Sequence, residues 1–484
     1  MNDYHEGGRK AGTREGRHVA PIAGASHLAH RHAHQEWNQV MEDQIHGLAE
    51  QTCDVLIIGG GPAGSTVASL LADKGHQVVL LEKAYHPRFH IGESLLPANL
   101  PLFEKMGIAD EIRAIGMCKP GAEFVSPHHD NTQVFEFAQA WDKSMPHSYQ
   151  VERSAFDHIL IRNAARKGAT VHEGCRVTAV DFSAQGGVQV TARHAQGHDQ
   201  RWKARFVVDA SGRDTFLANR FKIKLRNPRH NSAALYGHFR HAWRDTGQAE
   251  GNITIFWFDH GWFWFIPLLN GRTSVGMVTW PYHMKTRGQR SLHHFLMDNI
   301  ATCPALDERL REASLVSEVE ATGNYSYLSR QTHGRDYLLL GDAFAFIDPV
   351  FSSGVWLAMQ SGVVGADTID ICLKNPSARR AALKHFDHVM RRGPREFSWF
   401  VYRITNPIMR DFFMGPRNIF RVQEALLSML AGDVFGKTPI WRSIFFFKML
   451  YYAANLMQPR RAFMAWKQRR FNIRPVDDAA LHNA

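Results

Sequence analysis

The stretch CDVLIIGGGPAG, residues 53–64, decides the fold class of this 484-residue chain. It begins with CDVLII, whose last four residues, 55–58, are an unbroken apolar run of the kind that forms a buried parallel strand. An Ala- and Leu-rich helix is predicted after the glycines, through Lys74, followed by a second strand from His76 to Leu81. Strand, glycine turn, helix and strand together predict a βαβ unit of a Rossmann-type domain.

The glycines in this turn have the GxGxxG spacing, at Gly59, Gly61 and Gly64. Glycines at these positions permit a tight turn and let a pyrophosphate approach the N-terminus of the following helix. Glu82 directly follows the second strand, where an acidic side chain binds a ribose hydroxyl of a dinucleotide. The segment therefore predicts a dinucleotide cofactor.

Two later segments indicate which dinucleotide is bound. RFVVDASG (205–212) and YLLLGDA (337–343) are further predicted strands, and Asp342 lies just beyond the second. This arrangement resembles the FAD-binding fold of aromatic hydroxylases, geranylgeranyl reductases and flavin-dependent halogenases. The resemblance implies an α/β FAD-binding domain of the hydroxylase and glutathione-reductase type, with Arg153 and Asp342 next to FAD. It also implies an inserted, mainly antiparallel substrate sheet and a C-terminal helical region.

The hexapeptide WFWFIP, residues 262–267, distinguishes among these families. Alternation of Trp262, Trp264 and Ile266 predicts a strand with a heavy apolar face, which by itself indicates core packing. Together with Pro267, however, the segment is similar to the WxWxIP motif of flavin-dependent halogenases. In that family the motif lies beside the flavin and is thought to discourage ordinary hydroxylation.

A lysine supplies the second resemblance to the halogenases. Lys119 stands in KPGAEF, residues 119–124, which matches the K-x-G-x-x-F setting of the halogenase lysine. The resemblance implies a strand between the flavin and the substrate pocket, and a catalytic role for Lys119. A buried lysine has a lowered pKa, so its neutral amine becomes accessible. The alternative from the residues alone is an exposed lysine at a strand end.

The third resemblance is FIDPVFSSG, residues 346–354, which matches the FxxPxxSxG pattern of phenol- and pyrrole-type halogenases. A helix is predicted from Val355 to about Leu373, and the amides of Ser353 and Gly354 would form an anion site for halide at its N-terminus. Pro349 is assigned to the cofactor site. The alternative is a turn that only holds the flavin pyrimidine oxygen.

The position of Phe351 is occupied by Glu in tryptophan halogenases, so a phenol, resorcinol or pyrrole is the expected substrate, free or carrier-bound. The predicted function is FADH2- and O2-dependent halogenation of an electron-rich aromatic ring, with chloride or bromide relayed as hypohalous acid to Lys119. Alternatives are a monooxygenase or a geranylgeranyl-reductase-like oxidoreductase of the same fold, or a flavin-binding scaffold without catalysis. Residues 406–433 also resemble halogenases of aryl-polyene and resorcinol pigment pathways.

The predicted domain organisation is discontinuous. Residues 1–50 are predicted to form a flexible arm with one short helix near residues 37–48. Its histidines at 30, 32 and 34 are a candidate metal-binding group, but a solvated tail without metal is the favoured interpretation. The FAD-binding domain takes residues 51–125, 150–220 and 330–372, and the substrate-sheet domain takes 126–149 and 221–329. Residues 373–484 form a basic helical lid. No second GxGxxG occurs, so the resemblance implies a separate NAD(P)H-dependent flavin reductase as partner.

Composition narrows the class further. Apolar residues are 44% and charged residues 21%, as in globular proteins, and the mean hydropathy is −0.30. Five cysteines without a CxxC pair exclude a disulfide framework or zinc site. The sequence has no uninterrupted run of 18 apolar residues, and it does not open with basic residues followed by an apolar stretch. We therefore expect a cytoplasmic protein without a transmembrane segment.

The net positive charge is confined to the C-terminal part of the chain. Residues 380–484 carry 18 Lys and Arg against 7 Asp and Glu, whereas the other 379 residues carry 39 of each. Three interpretations remain: a solvated surface, a docking surface for an acidic carrier protein, or one for an anionic membrane. No nucleic-acid recognition motif accompanies the charge.

Overall fold

The computed structural model describes residues 50–323, 326–416, 418–435 and 438–474. Apart from Glu50, the predicted N-terminal arm, with its short helix and its histidines, lies outside the described residues.

The strands of the described residues fall into two large sheets and two small ones. In chain order they are β1 (Gln51–Ile58), β2 (Val78–Leu81), β3 (Met117–Lys119), β4 (Gly121–Val125), β5 (Thr132–Glu136), β6 (Ser148–Gln150), β7 (Thr170–His172), β8 (Cys175–Asp181), β9 (Val188–His194), β10 (Asp199–Asp209), β11 (Lys224–Arg226), β12 (Ala233–Arg240), β13 (Ile253–Phe258), β14 (Gly261–Pro267), β15 (Arg272–Thr279), β16 (Ser314–Leu315), β17 (Glu320–Thr322), β18 (Tyr327–Ser329), β19 (Tyr337–Leu339) and β20 (Ala345–Phe346).

The three longest helices of the described residues, of 21, 23 and 18 residues, begin after residue 353. In chain order the helices are α1 (Pro62–Asp73), α2 (Leu100–Met106), α3 (Ala109–Ile115), α4 (Arg153–Arg166), α5 (Phe216–Arg220), α6 (Pro281–Lys285), α7 (Leu292–Ile300), α8 (Pro304–Leu310), α9 (Gly354–Lys374), α10 (Arg379–Val401), α11 (Pro407–Met414), α12 (Val422–Ala431), α13 (Ile440–Met457) and α14 (Pro459–Asn472).

The first large sheet contains the βαβ unit predicted from residues 53–81. Strands β7, β2, β1, β10 and β19 are adjacent and parallel, and β8 and β9 extend the sheet in antiparallel pairing beside β10. Strand β1 is central and its side chains are buried from Val55 to Ile58, which explains the unbroken apolar run. Helices α1 and α9 pack against this sheet.

The second large sheet is mainly antiparallel, with the order β16-β12-β15-β14-β13-β4-β5 and β17 beside β12. Its strand β4 pairs in parallel with β13 and antiparallel with β5. The predicted FAD-binding segment 51–125 therefore extends too far: residues 121–125 pair with the inserted sheet. The chain leaves the small sheet of β3 and β6 at Pro120 and enters this sheet at Gly121, and the pairing of β4 with β13, more than 120 residues later, is not visible in the sequence.

The C-terminal helices pack on one face of this second sheet. Buried side chains of α10 to α13, among them Phe397, Met409, Leu426 and Ile444, join the apolar cluster that contains Trp262. The apolar stretch 440–457 forms one helix. Pro394 lies inside α10. Within the described ranges, no helix has the length and apolar character needed to cross a membrane.

Candidate active site

A cavity of about 470 Å³ lies at the carboxyl ends of the parallel strands. Residues at the ends of β1, β2, β10 and β19 form its floor, which is where open α/β sheets bind ligands. The lining includes ten of the predicted site residues: Gly59, Gly61, Glu82, Arg153, Trp262, Trp264, Ile266, Asp342, Pro349 and Gly354. Four others, Gly64, Lys119, Pro267 and Ser353, lie outside this lining.

The glycine turn closes one end of the cavity. Gly59 has a φ of +103°, and a Cβ on Gly64 would lie 1.9 Å from the carbonyl oxygen of Gly59, so both positions require glycine. At Gly61 the nearest atom to a Cβ would be Arg88 Nη2 at 4.0 Å, which leaves open space. The turn is therefore packed against the protein at two glycines and open toward the cavity at the third.

Glu82 anchors this turn from the end of β2. Its carboxylate accepts hydrogen bonds from the backbone N–H groups of Gly60 (2.7 Å) and Ala84 (2.9 Å), and the residue is buried. A carboxylate has about four acceptor sites, so two backbone bonds leave capacity for a ribose hydroxyl. The structure thus gives Glu82 a local structural role that is compatible with the predicted cofactor role.

Arg153 begins α4 and is held rigidly beside the cavity. Its Nε and Nη2 donate to the two carboxylate oxygens of Asp157 at 2.9 and 3.0 Å, and its Nη1 donates to the carbonyl of Ile91 at 2.8 Å. Arg88, a second cavity cation, lies 3.4 Å from the same carboxylate. A fixed guanidinium of this kind suits an anionic or carbonyl group of a ligand.

Asp342 faces the cavity from the turn after β19. Burial raises the pKa of its carboxyl to about 6, although the charges of Arg213 and Arg153 oppose this shift. The glycine turn, open at Gly61, and the guanidinium of Arg153 can bind a pyrophosphate. The acceptors at Glu82 and Asp342 can bind the hydroxyls of a ribose and a ribityl chain. These residues therefore fit FAD, which in bound form would lie in this cavity.

Strand β14 supplies the aromatic wall. Because side chains alternate along a strand, Trp262, Trp264 and Ile266 face the cavity, whereas Phe263 and Phe265 pack into the cluster on the opposite face. Trp264 Nε1 donates to Ser274 Oγ at 3.2 Å. A Cβ on Gly276 would lie only 2.1 Å from the indole ring of Trp264, so that glycine makes room for the indole.

The 21-residue helix α9 begins at the cavity edge. Ser352 adopts a left-handed conformation with a φ of +53°, Ser353 is buried, and a Cβ on Gly354 would meet no atom within 4 Å. The first N–H groups of a helix have no intrahelical acceptor and favour an anion. The amide end of α9 at Gly354 is thus open to the cavity.

The turn before α9 is fixed by a buried cluster. Asp348 Oδ2 lies 2.9 Å from His230 Nε2 and accepts a hydrogen bond from Ser232 Oγ at 3.0 Å, while Oδ1 accepts from the N–H of Val350 at 3.2 Å. Sequence analysis missed this cluster because 118 residues separate His230 from Asp348. The only local signal is the Asp-Pro pair that begins the turn.

Lys119 lies at the end of β3 and is fully buried. Its Nζ donates to Ser94 Oγ and to the carbonyl of Leu95, both at 2.9 Å, and lies 5.4 Å from the ring centroid of Phe137. Burial lowers the pKa of the Lys119 amine to about 7. The structure therefore contradicts the alternative of an exposed lysine at a strand end.

Ser94 connects this lysine to the cavity, since its side chain contacts Lys119 and the residue also lines the cavity. Residues 93–95 run beside β6, through hydrogen bonds between Leu95 N–H and Tyr149 O (3.0 Å) and between Val151 N–H and Glu93 O (2.8 Å). Strand β6 in turn pairs with β3. Sequence reasoning missed Ser94 because this register is not visible in the sequence.

Glu93 was missed for the same reason. Its Oε1 lies 2.8 Å from His238 Nε2, and both residues are buried beside the cavity. Burial alone would lower the pKa of His238, but the hydrogen bond and charge of Glu93 raise it. The pair links the loop that carries Ser94 to β12.

The fold and cavity define an FAD-dependent enzyme, and comparison with known proteins agrees. Residues 52–386 match the family described as FAD binding domain. The chain is 30% identical over 415 residues to the 1H-pyrrole-2-carbonyl-[peptidyl-carrier protein] chlorinase of Pseudomonas fluorescens, covering 80% of this chain and 91% of that one. It is 33% identical over 320 residues to the tryptophan 2-halogenase of Chondromyces crocatus, covering 65% of this chain and 60% of the relative.

A solved structure shows the same relationship. The myxobacterial chondrochloren halogenase CndH superposes with a TM-score of 0.70 at 34% identity, over 81% of this chain and 93% of that one. The chain belongs to the flavin-dependent halogenase family. It is an FAD-dependent oxidoreductase that uses halide and halogenates aromatic substrates. The predictions of family, fold class, cofactor and reaction are confirmed.

Proposed function

We propose that this enzyme passes hypohalous acid from the flavin cavity to the buried amine of Lys119, which directs the halogen onto an electron-rich aromatic ring. The observation that supports this most strongly is the 2.9 Å contact between Lys119 Nζ and Ser94 Oγ. Through Ser94 the amine adjoins the cavity without lining it. Lys119 is therefore placed to act on a small species that leaves the cavity.

Bound reduced FAD supplies the activation of O2 by which halide is oxidised to hypohalous acid. We assign the binding of the halide to the backbone amides of Ser353 and Gly354. The open space at Gly354 and the positive end of the 21-residue α9 support this assignment. The cluster of Asp348 and His230 keeps the preceding turn in place.

In this proposal, the wall of Trp262, Trp264 and Ile266 separates the aromatic substrate from the flavin. These side chains fill the cavity face of β14 with apolar surface and are tightly packed, as the contact between Trp264 and Gly276 shows. They would keep an aromatic substrate away from the flavin while a two-heavy-atom hypohalous acid passes. Exclusion of this kind suppresses direct hydroxylation of the substrate.

The chemistry assigned to Lys119 needs its neutral amine. With a pKa of about 7, a large fraction of the amine is neutral at physiological pH. The amine can donate a hydrogen bond to the oxygen of hypohalous acid, or accept the halogen as a haloamine and release water. In either route the new carbon–halogen bond replaces a ring C–H bond, the bond from halogen to oxygen or nitrogen breaks, and the net by-product is water.

The expected substrate is a phenol, resorcinol or pyrrole. Phe351, at the position of the tryptophan halogenases' Glu, is buried, with ring centroids of Phe400 and Phe413 each 6.3 Å away. An aromatic cluster at this position offers no carboxylate to an unactivated ring. A substrate activated by its own oxygen or nitrogen fits this site better.

We further propose that the aromatic substrate is carried by an acyl or peptidyl carrier protein, and that a separate NAD(P)H-dependent reductase supplies reduced FAD. The name of the pyrrole-carbonyl chlorinase, of which this chain covers 91%, supports the first point. The presence of only one GxGxxG segment supports the second.

The test is incubation of the enzyme with reduced FAD, bromide and candidate phenols, resorcinols and pyrroles, each free and carrier-bound. Mass spectrometry should show replacement of hydrogen by bromine. A gain of one oxygen or of two hydrogens, independent of bromide, would contradict the proposed reaction. Preference for the free form of every substrate would contradict the proposal that a carrier protein delivers the substrate.

A further inference from the structure

The helices α13 and α14 expose an unusual amount of apolar surface. Of the 22 large hydrophobic side chains that are exposed in the described residues, 11 belong to these two helices. They are Phe445, Phe446, Met449, Leu450, Tyr452, Leu456, Met457, Phe463, Met464, Trp466 and Phe471. We call this set, with the basic residues among it, the α13–α14 surface.

On α13 these side chains form one continuous face. Phe445, Met449, Tyr452 and Leu456 follow each other at spacings of three or four residues, so they lie on one side of the helix. The opposite side, with Ile444 and Phe447, is buried against the protein. The helix is therefore apolar on both sides, a pattern that belongs to helices covered all round.

The charge of this surface has a single sign. Residues 440–474 contain eight Lys and Arg and no Asp or Glu. Lys448 and Arg461 form ion pairs with Glu396 and Asp411. Arg442, Arg460 and Lys467 are exposed and form no ion pair within the described part of the chain. Cationic and aromatic side chains are interspersed along α14.

We propose that the α13–α14 surface binds an anionic lipid bilayer, with the two helices lying in the interface. Exposed aromatic and aliphatic side chains flanked by Arg and Lys are the composition of interfacial membrane helices. Anionic headgroups supply the charge that the segment lacks. The junction of the helices carries the two most exposed of these hydrophobic side chains, since Leu456 and Met457 are each 83% exposed, and the exposed Arg460 follows three residues after Met457.

Two other occupants fit less well. A second copy packed on the same surface would bring two sets of cations together without an acidic residue of this segment to oppose them. A carrier protein would satisfy the charge, but transient protein interfaces are only about as apolar as the rest of a surface. In the part of the chain that the structure describes, half of the exposed large hydrophobic side chains are concentrated here. The proposal is independent of the substrate and of the role of Lys119.

The experiment is flotation of the full-length enzyme with vesicles of phosphatidylcholine alone or of phosphatidylcholine with one quarter phosphatidylglycerol, at about 0.1 M salt. Wild type should float with the anionic vesicles and much less with the neutral ones. The double variant Leu456→Glu and Met457→Glu should bind at least tenfold more weakly. Arg460→Glu with Lys467→Glu should also weaken binding and reduce its dependence on salt.

The matched control is Leu269→Glu, at a leucine that is 53% exposed on the turn between β14 and β15. It should float like wild type. Retained FAD binding and unchanged halogenation of a soluble aromatic compound would show that the double variant is folded. Absence of flotation by wild type would overturn the proposal, as would equal flotation of wild type and the double variant. A stable dimer or a carrier-protein complex that the same substitutions abolish, without vesicle binding, would also overturn it.

Discussion

The amine of Lys119 and the hydroxyl of Ser94 lie 2.9 Å apart, although 25 residues separate them in the chain. Ser94 lines the cavity that contains the glycine turn and the tryptophan wall, whereas Lys119 lies outside that lining. One side chain therefore joins the buried amine to the flavin cavity.

Ser94→Ala should impair the positioning of the Lys119 amine without removing the amine. Loss of one hydrogen bond of about 1 kcal/mol corresponds to roughly a fivefold fall in halogenated product per flavin oxidised. The Ser94 oxygen accepts a hydrogen bond that stabilises the ammonium form, so its loss should lower the pKa of Lys119 further. The pH profile of product yield, which should rise with a midpoint near 7 in wild type, should then shift to lower pH.

Ser94→Thr keeps the hydroxyl and should retain the wild-type midpoint. A fall in Ser94→Ala activity without any shift of the pH profile would assign Ser94 a packing role only.

Lys119→Met should stabilise the protein at neutral pH. Burial lowers the pKa of Lys119 from 10.5 to about 7, so between these values the unfolded chain binds more protons than the folded one. The resulting destabilisation of wild type is complete below pH 7 and disappears as pH rises toward 10.5. In urea unfolding at pH 7, the free energy of unfolding of Lys119→Met should exceed that of wild type by at least ~1 kcal/mol, and this difference should narrow by pH 10. A gap independent of pH would mean that the amine is not destabilised by burial.

Gly354→Val should weaken the use of halide. The new side chain would project into open space at the amide end of α9, so the protein should fold while the anion site is crowded. The halide concentration needed for half-maximal product formation should rise at least tenfold. Ser353→Ala keeps its backbone amide and should change this concentration little. Wild-type halide dependence in both variants would place the halide elsewhere.

Gly61→Ala and Gly64→Ala should separate cofactor binding from folding. A Cβ at Gly61 would extend toward the cavity, so this variant should keep the thermal stability of the cofactor-free protein and bind FAD at least tenfold more weakly. A Cβ at Gly64 would lie 1.9 Å from the Gly59 carbonyl oxygen, so that variant should lose stability as well. Fluorescence titration with FAD and thermal unfolding without FAD measure the two effects. Normal FAD affinity in Gly61→Ala would contradict the placement of the pyrophosphate.

Local patterns in the sequence were sufficient for the parts of the site that one element builds. The glycine turn follows a single strand, and alternation along β14 alone places Trp262 and Trp264 on the cavity face. Lys119 could be identified by its surrounding residues, but its burial could not, because the residues alone also allowed an exposed lysine at a strand end.

Contacts between distant segments could not be predicted in this way. The bond from Lys119 to Ser94 depends on the register of β3, β6 and residues 93–95. The cluster of His230 and Asp348 joins the segment before β12 to the turn before α9. The boundary at residue 125 was misplaced because β4 pairs with β13, a strand more than 120 residues later. Pro394 lies within α10 because a helix of 23 residues anchored by buried side chains on both sides of it tolerates one lost hydrogen bond.

The role of Lys119 is the central claim, and Lys119→Ala tests it most directly. Reduced FAD, bromide and an electron-rich aromatic substrate are supplied, and flavin oxidation, hypobromous acid released to a thiol scavenger and brominated product are measured together. We expect FAD binding, flavin oxidation and release of oxidised bromide to continue, while brominated product falls more than tenfold. Retention of more than a tenth of the wild-type brominated product, at the wild-type position on the ring, would contradict the account.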